Sequence, residues 1–128
     1  MKTRWLLSLL AGCAAVLGGA SVSALAADAA GGAEAIARGE AAFTHRCAMC
    51  HRAGQTGTFI LARRLGEDRS LLEQRTDLVD VYIRQVVRQG LVNMPRISRV
   101  ELPDADLDAV IAYLNRPQSL RGASPSQR

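Results

Sequence analysis

Two cysteines, two spacer residues and a histidine stand together as Cys47-Ala48-Met49-Cys50-His51. Two thiols at this spacing can form thioether bonds to the two vinyl groups on one porphyrin edge, because a helical spacer of two residues matches the vinyl separation. The residue after the second cysteine then lies beneath the ring, where its imidazole can ligate iron. The pentapeptide therefore predicts one covalent haem c, attached through Cys47 and Cys50, with His51 as an axial ligand.

Other chemistry for the same residues has less support in the rest of the chain. A closed zinc site needs four ligands, and the only further candidate near the motif is His45. A redox-active dithiol of the thioredoxin type would need alternating strands and helices, which the chain does not show. We interpret the motif as haem attachment, keep zinc binding and dithiol chemistry as alternatives, and expect His45 to lie on the surface.

A second candidate iron ligand lies in a non-helical segment nearer the C-terminus. Met49 lies inside the motif and cannot reach the opposite ring face, so Met94 is the thioether donor that remains once Met1 is set aside. Pro95 follows it and prevents helix formation, as a ligand loop requires. Ligation by His51 and Met94 would leave no open iron position, which predicts single-electron transfer and no enzymatic activity. A haem gas sensor or peroxidase-like enzyme with a labile sixth position is the alternative.

The N-terminal residues have the organisation of a secretory signal. Lys2 and Arg4 precede an apolar stretch that reaches the small-residue motif Ala24-Leu25-Ala26. We predict a signal peptide over residues 1–26, a periplasmic location and no integral membrane span. The sequence Leu10-Ala11-Gly12-Cys13 also resembles a bacterial lipoprotein box, so a lipid anchor on Cys13 is an alternative.

The composition of the chain supports a periplasmic location and limits the kinds of partner that the protein could bind. Signal cleavage would leave Cys47 and Cys50 as the only cysteines of an exported chain, where two thiols normally form a disulfide. Thioether bonds to haem account for both. The formal charge of +4 would fall with the loss of Lys2 and Arg4, a balance that indicates no nucleic-acid partner. Every remaining basic residue is arginine, whose planar group suits carboxylates of an acidic partner or of the haem propionates.

Helical periodicity covers most of the remaining chain without a strand pattern, which predicts a small all-α fold. Residues 33–51 predict a first helix with the motif at its C-terminal end, after a mobile start at 27–32. Gly39 and Phe43 lie on one face of this helix. A glycine there indicates close approach by another helix, although a merely tolerated glycine is the alternative.

A loop and a short turn are predicted next. Residues 52–66 contain three glycines around an apolar cluster and predict a loop that wraps one haem edge. Ser70 and Glu73 then match a capping box for one short helical turn that ends near Arg75.

Two more helices complete the domain. Asp77 is predicted to cap a helix that Gly90 ends, because apolar residues recur at helical spacing between them. Pro103-Asp104 is predicted to begin a last helix, which residues 115–117 end. These signals define one domain over residues 33–116 and a disordered tail over 117–128.

The combined features resemble the class I cytochromes c. The resemblance rests on the attachment pentapeptide and on three further patterns: Gly39-x-x-x-Phe43, Asn93-Met94-Pro95 and Leu107-x-x-Val110-Ile111-x-Tyr113-Leu114. It implies that the first and last helices cross beside one haem c and that the protein carries electrons. The loop after His51 lacks the proline whose carbonyl commonly orients the imidazole in this class, so that carbonyl is left open. By position, Arg64 is a candidate for binding a propionate.

Within this class the chain is similar to one subgroup. Tyr82 to Gly90, followed by Met94-Pro95 and Leu102-Pro103-Asp104, is similar to the cytochrome subunits of 4-cresol dehydrogenase and eugenol hydroxylase. The similarity implies an FAD-containing dehydrogenase of phenolic or aromatic alcohols as electron donor, with a separate downstream acceptor. A quinoprotein or molybdenum dehydrogenase, or a role as free carrier to a terminal oxidase, remain alternatives.

Overall fold

The computed structural model describes residues 20–123, with side-chain burial described from residue 31 to residue 121. Within this range five α-helices follow one another: α1 Ala20–Arg46, α2 Ala48–His51, α3 Thr56–Leu65, α4 Asp80–Gln89 and α5 Asp104–Leu114. Glu67–Arg69, Leu72–Gln74 and Gln118–Ala123 are 3-10 helical. The described part contains no strand, only an isolated bridge between Leu91 and Met94. The predicted all-α fold is confirmed.

The chain divides into two compact units, Met1–Gly31 and Gly32–Arg128. Of the first unit, only residues 20–31 are described, and they are helical. The second unit carries the core and every candidate site residue.

The centre of the second unit is α5, whose burial explains its position. Pro103 fixes the backbone where the helix begins, and Asp104 and Asp106 supply acidic residues in the first turn, as the sequence predicted. The helix ends at Asn115. Its buried side chains pack with buried residues of α1 and α4; these are Leu107, Val110, Ile111, Tyr113, Leu114, Phe43, Ile83 and Val87.

Gly39 of α1 packs directly against α5, as predicted. A Cβ atom at Gly39 would overlap the carbonyl oxygen of Ala109 and lie 2.8 Å from Cβ of Tyr113. The rings of Phe43 and Tyr113 meet next to this point, with centroids 5.7 Å apart. The close approach of the two helices is therefore possible because residue 39 has no side chain.

Residues 52–66 differ from the predicted loop, because Thr56–Leu65 form α3. The chain turns at Gly54, whose φ is 77°, and the helix ends at Gly66, whose φ is 95°. Gly57 suggested a loop, yet it lies inside the helix, where a Cβ atom would meet the backbone of Cys50. The prediction was wrong because a glycine selected for tertiary packing has the same local signature as a loop glycine.

The two predicted side-chain caps also differ from the structure. The N-cap of α4 is Val79, without a side-chain cap, and Asp77 instead accepts hydrogen bonds from Arg75 and Arg69. In the predicted capping box, Ser70 Oγ donates to the carbonyl of Glu67, and Glu73 is used elsewhere. Gly90, with φ of 79°, ends α4 as predicted.

The predicted chain ends are described only in part. Residues 27–32 lie within α1 and are not a separate start, and α1 stops at Arg46, before the motif. In the predicted disordered tail, 118–123 form a 3-10 helix, and Arg121 donates to the carbonyls of Glu73 and Arg75. Residues 124–128 and most of the predicted signal peptide, including Cys13, lie outside the described residues. No helix in the described part is long and apolar enough to cross a membrane.

Candidate haem-binding site

The attachment motif folds as one helical turn. The amide of Cys47 donates to the carbonyl of Phe43 over 2.8 Å, so the motif continues directly from α1. The carbonyl of Cys47 in turn accepts from the amides of Cys50 at 3.0 Å and His51 at 2.9 Å. This turn brings both thiols and the imidazole within one helical repeat, the arrangement that the two-residue spacer predicted.

The thiols and the imidazole of the motif differ in burial and in acidity. Cys47 is half-buried and Cys50 exposed, and both are free thiols. Burial, with a smaller contribution from the neighbouring Cys50, raises the pKa of the Cys47 thiol to about 11. Burial likewise lowers the pKa of His51, which keeps the imidazole in the neutral form that ligates metals.

One nitrogen of His51 is unsatisfied. Nδ1 is buried and has no hydrogen-bond partner among the described residues, so the loop after the motif supplies no carbonyl to it. A buried polar atom without a partner is uncommon in proteins. Metal-ligating imidazoles usually donate their second ring N–H to an oxygen atom, and the described residues supply no such acceptor to His51.

α3 supports the motif from the side, which sequence analysis missed. A Cβ at Gly57 would lie 2.6 Å from the carbonyl oxygen of Cys50. The buried hydroxyl of Thr58 donates to the carbonyl of Arg52 over 2.8 Å, and the amide of Gln55 donates to the same oxygen. The residue after His51 is thus tied to the first turn of α3. The only signal in the sequence was a glycine one residue before a threonine in an apolar segment.

Met94 lies in a tight non-helical turn, as predicted. Its amide donates to the carbonyl of Leu91 at 2.9 Å, and the amide of Leu91 donates back at 3.0 Å. Val92 within the turn has a φ of 54°, an uncommon conformation for a β-branched residue. The half-buried Met94 side chain packs against the same hydrophobic core as Cys47. The structure therefore places the motif and the candidate thioether ligand at the border of one core.

The other predicted site residues are on the surface. Arg64 is exposed in the last turn of α3, and its neighbour Arg63 lies 5.8 Å from the centre of the Phe59 ring. Binding of a propionate by Arg64 stays a prediction. His45 is exposed near the end of α1, as expected.

The donor set and its surroundings fit a haem. Two free thiols, a neutral imidazole and a thioether are the groups that c-type attachment uses. The turn that carries Met94 also exposes large apolar side chains, Leu91 at 46% and Val92 at 76%, which a flat apolar ring could cover. Among the described residues, no three His, Cys, Asp or Glu side chains form a group that could hold a metal ion.

The fold and the motif together define a class I cytochrome c. A sequence model of the family described as "Cytochrome C oxidase, cbb3-type, subunit III" matches residues 34–114, and the chain belongs to this family of haem c electron-transfer domains. No curated protein and no solved structure gives a significant match.

Proposed function

We propose that this protein is a periplasmic cytochrome with a single haem c that transfers one electron at a time. Cys47 and Cys50 attach the haem, and His51 and Met94 are its axial ligands. The observation that carries the proposal is the helical turn of the motif at the border of the same core that Met94 contacts. The haem supplies a one-electron iron couple when bound.

The residues of the chain favour electron transfer over substrate chemistry at iron. His51 is placed by a helical turn and by α3, and Met94 by a turn that is bonded at both ends. Ligation by both His51 and Met94 would leave no iron position for oxygen or peroxide. This arrangement favours an electron carrier over the alternative of a gas sensor or peroxidase-like enzyme.

The electron donor is a flavoprotein dehydrogenase of phenolic or aromatic alcohols, on the strength of the similarity of the α4 and Met94 segments to the cytochrome subunits of such enzymes. The family match supports a second candidate function, delivery of electrons to a terminal oxidase. The description of the family names a subunit of a cbb3-type oxidase. Quinoprotein and molybdenum dehydrogenases are further possible donors. Affinity purification from periplasm, with identification of flavin, quinone or metal in the co-purifying partner, separates these candidates.

Export and domain limits belong to the same proposal. Residues 1–26 are the signal peptide, with cleavage after Ala26, and residues 33–116 are the cytochrome domain. Intact-mass measurement of the processed protein tests this, because a lipid on Cys13 would instead show a lipoprotein.

The haem and its ligation are tested on protein matured with the export-side assembly machinery. We expect a coloured protein whose haem resists extraction by acidified organic solvent, with one haem per chain. We also expect the untreated ferrous protein to bind carbon monoxide very slowly or not at all. Extractable haem would contradict the attachment, and rapid carbon monoxide binding would favour the sensor or enzyme alternative.

A further inference from the structure

The side chain of Arg88 is almost enclosed by the segment that follows Met94. Arg88 lies in the last turn of α4, and its side chain is only 14% exposed. One terminal nitrogen, Nη1, donates to the carbonyls of Ile97 at 3.1 Å and Ser98 at 3.2 Å. The other, Nη2, donates at 2.8 Å to the carbonyl of Leu102 and at 2.8 Å to a carboxylate oxygen of Asp104.

These four bonds use every terminal N–H group of the guanidinium. A planar fork of four donors can reach three carbonyls and a carboxylate at once, whereas a lysine ammonium has three donors on one atom. Nε is buried without a hydrogen-bond partner among the described residues. The side chain therefore loses hydration that only its terminal nitrogens replace with hydrogen bonds. An arginine that only contributes surface charge would need neither this burial nor these four hydrogen bonds.

The bonds from Arg88 hold the chain after Met94, and α4 itself holds the chain before it. Upstream, the turn continues from α4 through Gly90, where a Cβ would lie 2.8 Å from the carbonyl oxygen of Met94. Downstream, the amide of Ile97 donates to the carbonyl of Val87 over 2.8 Å, next to the two bonds from Arg88. Both ends of the Met94 turn are therefore fixed to the last turn of one helix.

We propose that Arg88 is a positioning residue for the Met94 ligand, which it acts on by fixing the backbone at residues 97 and 98. The proposal rests on Met94 ligation as proposed above. A thioether stays on iron against competing ligands when its loop has few other conformations, because little entropy is gained on release. Without Arg88 the downstream end of the turn keeps one backbone bond, so the sulfur is released more often.

The test compares ferric holoprotein variants by the rate at which added imidazole replaces the sixth ligand. Arg88→Met removes all four bonds, and Arg88→Lys keeps the charge without the fork. Arg84→Met is the matched control, since Arg84 lies one turn earlier on α4 and its exposed side chain pairs with Asp108 rather than with the Met94 segment. Tyr113→Phe is a control for general destabilisation, because it removes a buried hydrogen bond to Glu73 away from the turn.

We expect Arg88→Met to bind imidazole about tenfold faster than the parent protein. This is the size of effect that the net free energy of two or more lost hydrogen bonds would give. Arg88→Lys should lie between them, and both control variants should match the parent. Amide hydrogen exchange at Ile97 should accelerate in the Arg88 variants while that in α1 does not. If Arg88→Met does not fold, Arg88→Lys and Asp104→Asn carry the comparison.

The outcomes separate this proposal from the one beneath it. If the parent binds imidazole as fast as Met94→Leu does, Met94 is not the ligand and both proposals fail. If the parent is slow and the Arg88 variants are equally slow, Met94 ligation stands and the role of Arg88 is overturned. An equal acceleration in Tyr113→Phe would likewise overturn it, since general destabilisation would then explain the effect.

Discussion

The segment that carries His51 and the segment that carries Met94 are held by different means. The amides of Cys50 and His51 bond to a carbonyl only three and four residues earlier. The segment after Met94 is held by side-chain bonds from Arg88 that span nine to sixteen residues. The candidate histidine ligand is thus held mainly by local helical structure, and the candidate methionine ligand mainly by tertiary contacts. Contacts of a surface turn belong to the less stable parts of a fold, so we expect ligation to change first on the methionine side.

Loss of both thiols should have the largest effect on the histidine side. In Cys47→Ser/Cys50→Ser the ring has no covalent bond to the chain, so we expect colourless protein or haem that acidified solvent extracts completely. Cys13→Ser is the matched control, because the proposed signal cleavage removes that cysteine. Absorption of the purified protein, before and after extraction, measures both. Retained covalent haem in the double variant would show that the motif does not attach it.

Removal of the sulfur should have the next largest effect, confined to the methionine side. Met94→Leu conserves volume, so the fold and the thioether bonds should persist. Because the sixth position becomes open, we expect carbon monoxide to bind the ferrous protein at least tenfold faster, and the reduction potential to fall.

The control for this variant is Met49→Leu, since Met49 is 75% exposed within the motif. It should leave both carbon monoxide binding and potential unchanged. A Met94→Leu protein that binds carbon monoxide as slowly as the parent would remove Met94 from the ligand set.

The histidine side could be predicted from sequence because its chemistry is local. The spacing of Cys47, Cys50 and His51 matches one porphyrin edge, and the turn needs only hydrogen bonds within the motif. The start of α5 could be predicted for a similar reason, since Pro103 and the acidic residues after it favour a helix start in any context.

The supports of the two ligand segments could not be predicted because they depend on distant partners. Gly57 looked like a loop residue, and only the structure shows the backbone of Cys50 against it. No local pattern in the sequence marks Arg88, because its partners follow up to sixteen residues later. Local patterns predict the candidate ligands, whereas tertiary packing decides which residues hold them in place.

Gly57→Ala should sharpen the comparison by weakening the histidine side without touching a ligand. The new methyl group would lie 2.6 Å from the carbonyl oxygen of Cys50, so α3 or the motif must shift. We expect a loss of about 1–3 kcal/mol in the free energy of unfolding, the usual cost of overpacking. Chemical denaturation measures it.

Gly32→Ala is the matched control for this effect, because nothing lies within 4 Å of a Cβ at that helical position. There the higher helix propensity of alanine should leave stability unchanged or raise it by up to about 1 kcal/mol. Equal stability of the two variants would mean that α3 does not press on the motif.

The smallest effect is expected in the segment 66–79, which connects α3 on the histidine side to α4 on the methionine side. In this connection Asp77 accepts hydrogen bonds from Arg75 and Arg69 at 2.7 and 2.8 Å. The bond from Arg75, followed by that from Arg69, holds the pKa of Asp77 well below its usual range. A carboxyl whose pKa is lower in the folded state stabilises the fold above its unfolded pKa, near 4. It loses that contribution as the pH falls toward the folded value.

Asp77→Asn should therefore flatten the fall in stability below pH of about 4 while leaving both candidate ligands in place. Added salt should reduce the difference because the carboxylate is exposed. Melting temperatures of the parent and Asp77→Asn proteins across that pH range would measure it, with Asp108→Asn as a control for the loss of an exposed pair outside this connection. Superimposable acid profiles would show that the connection between the two ligand segments does not depend on the Asp77 charge.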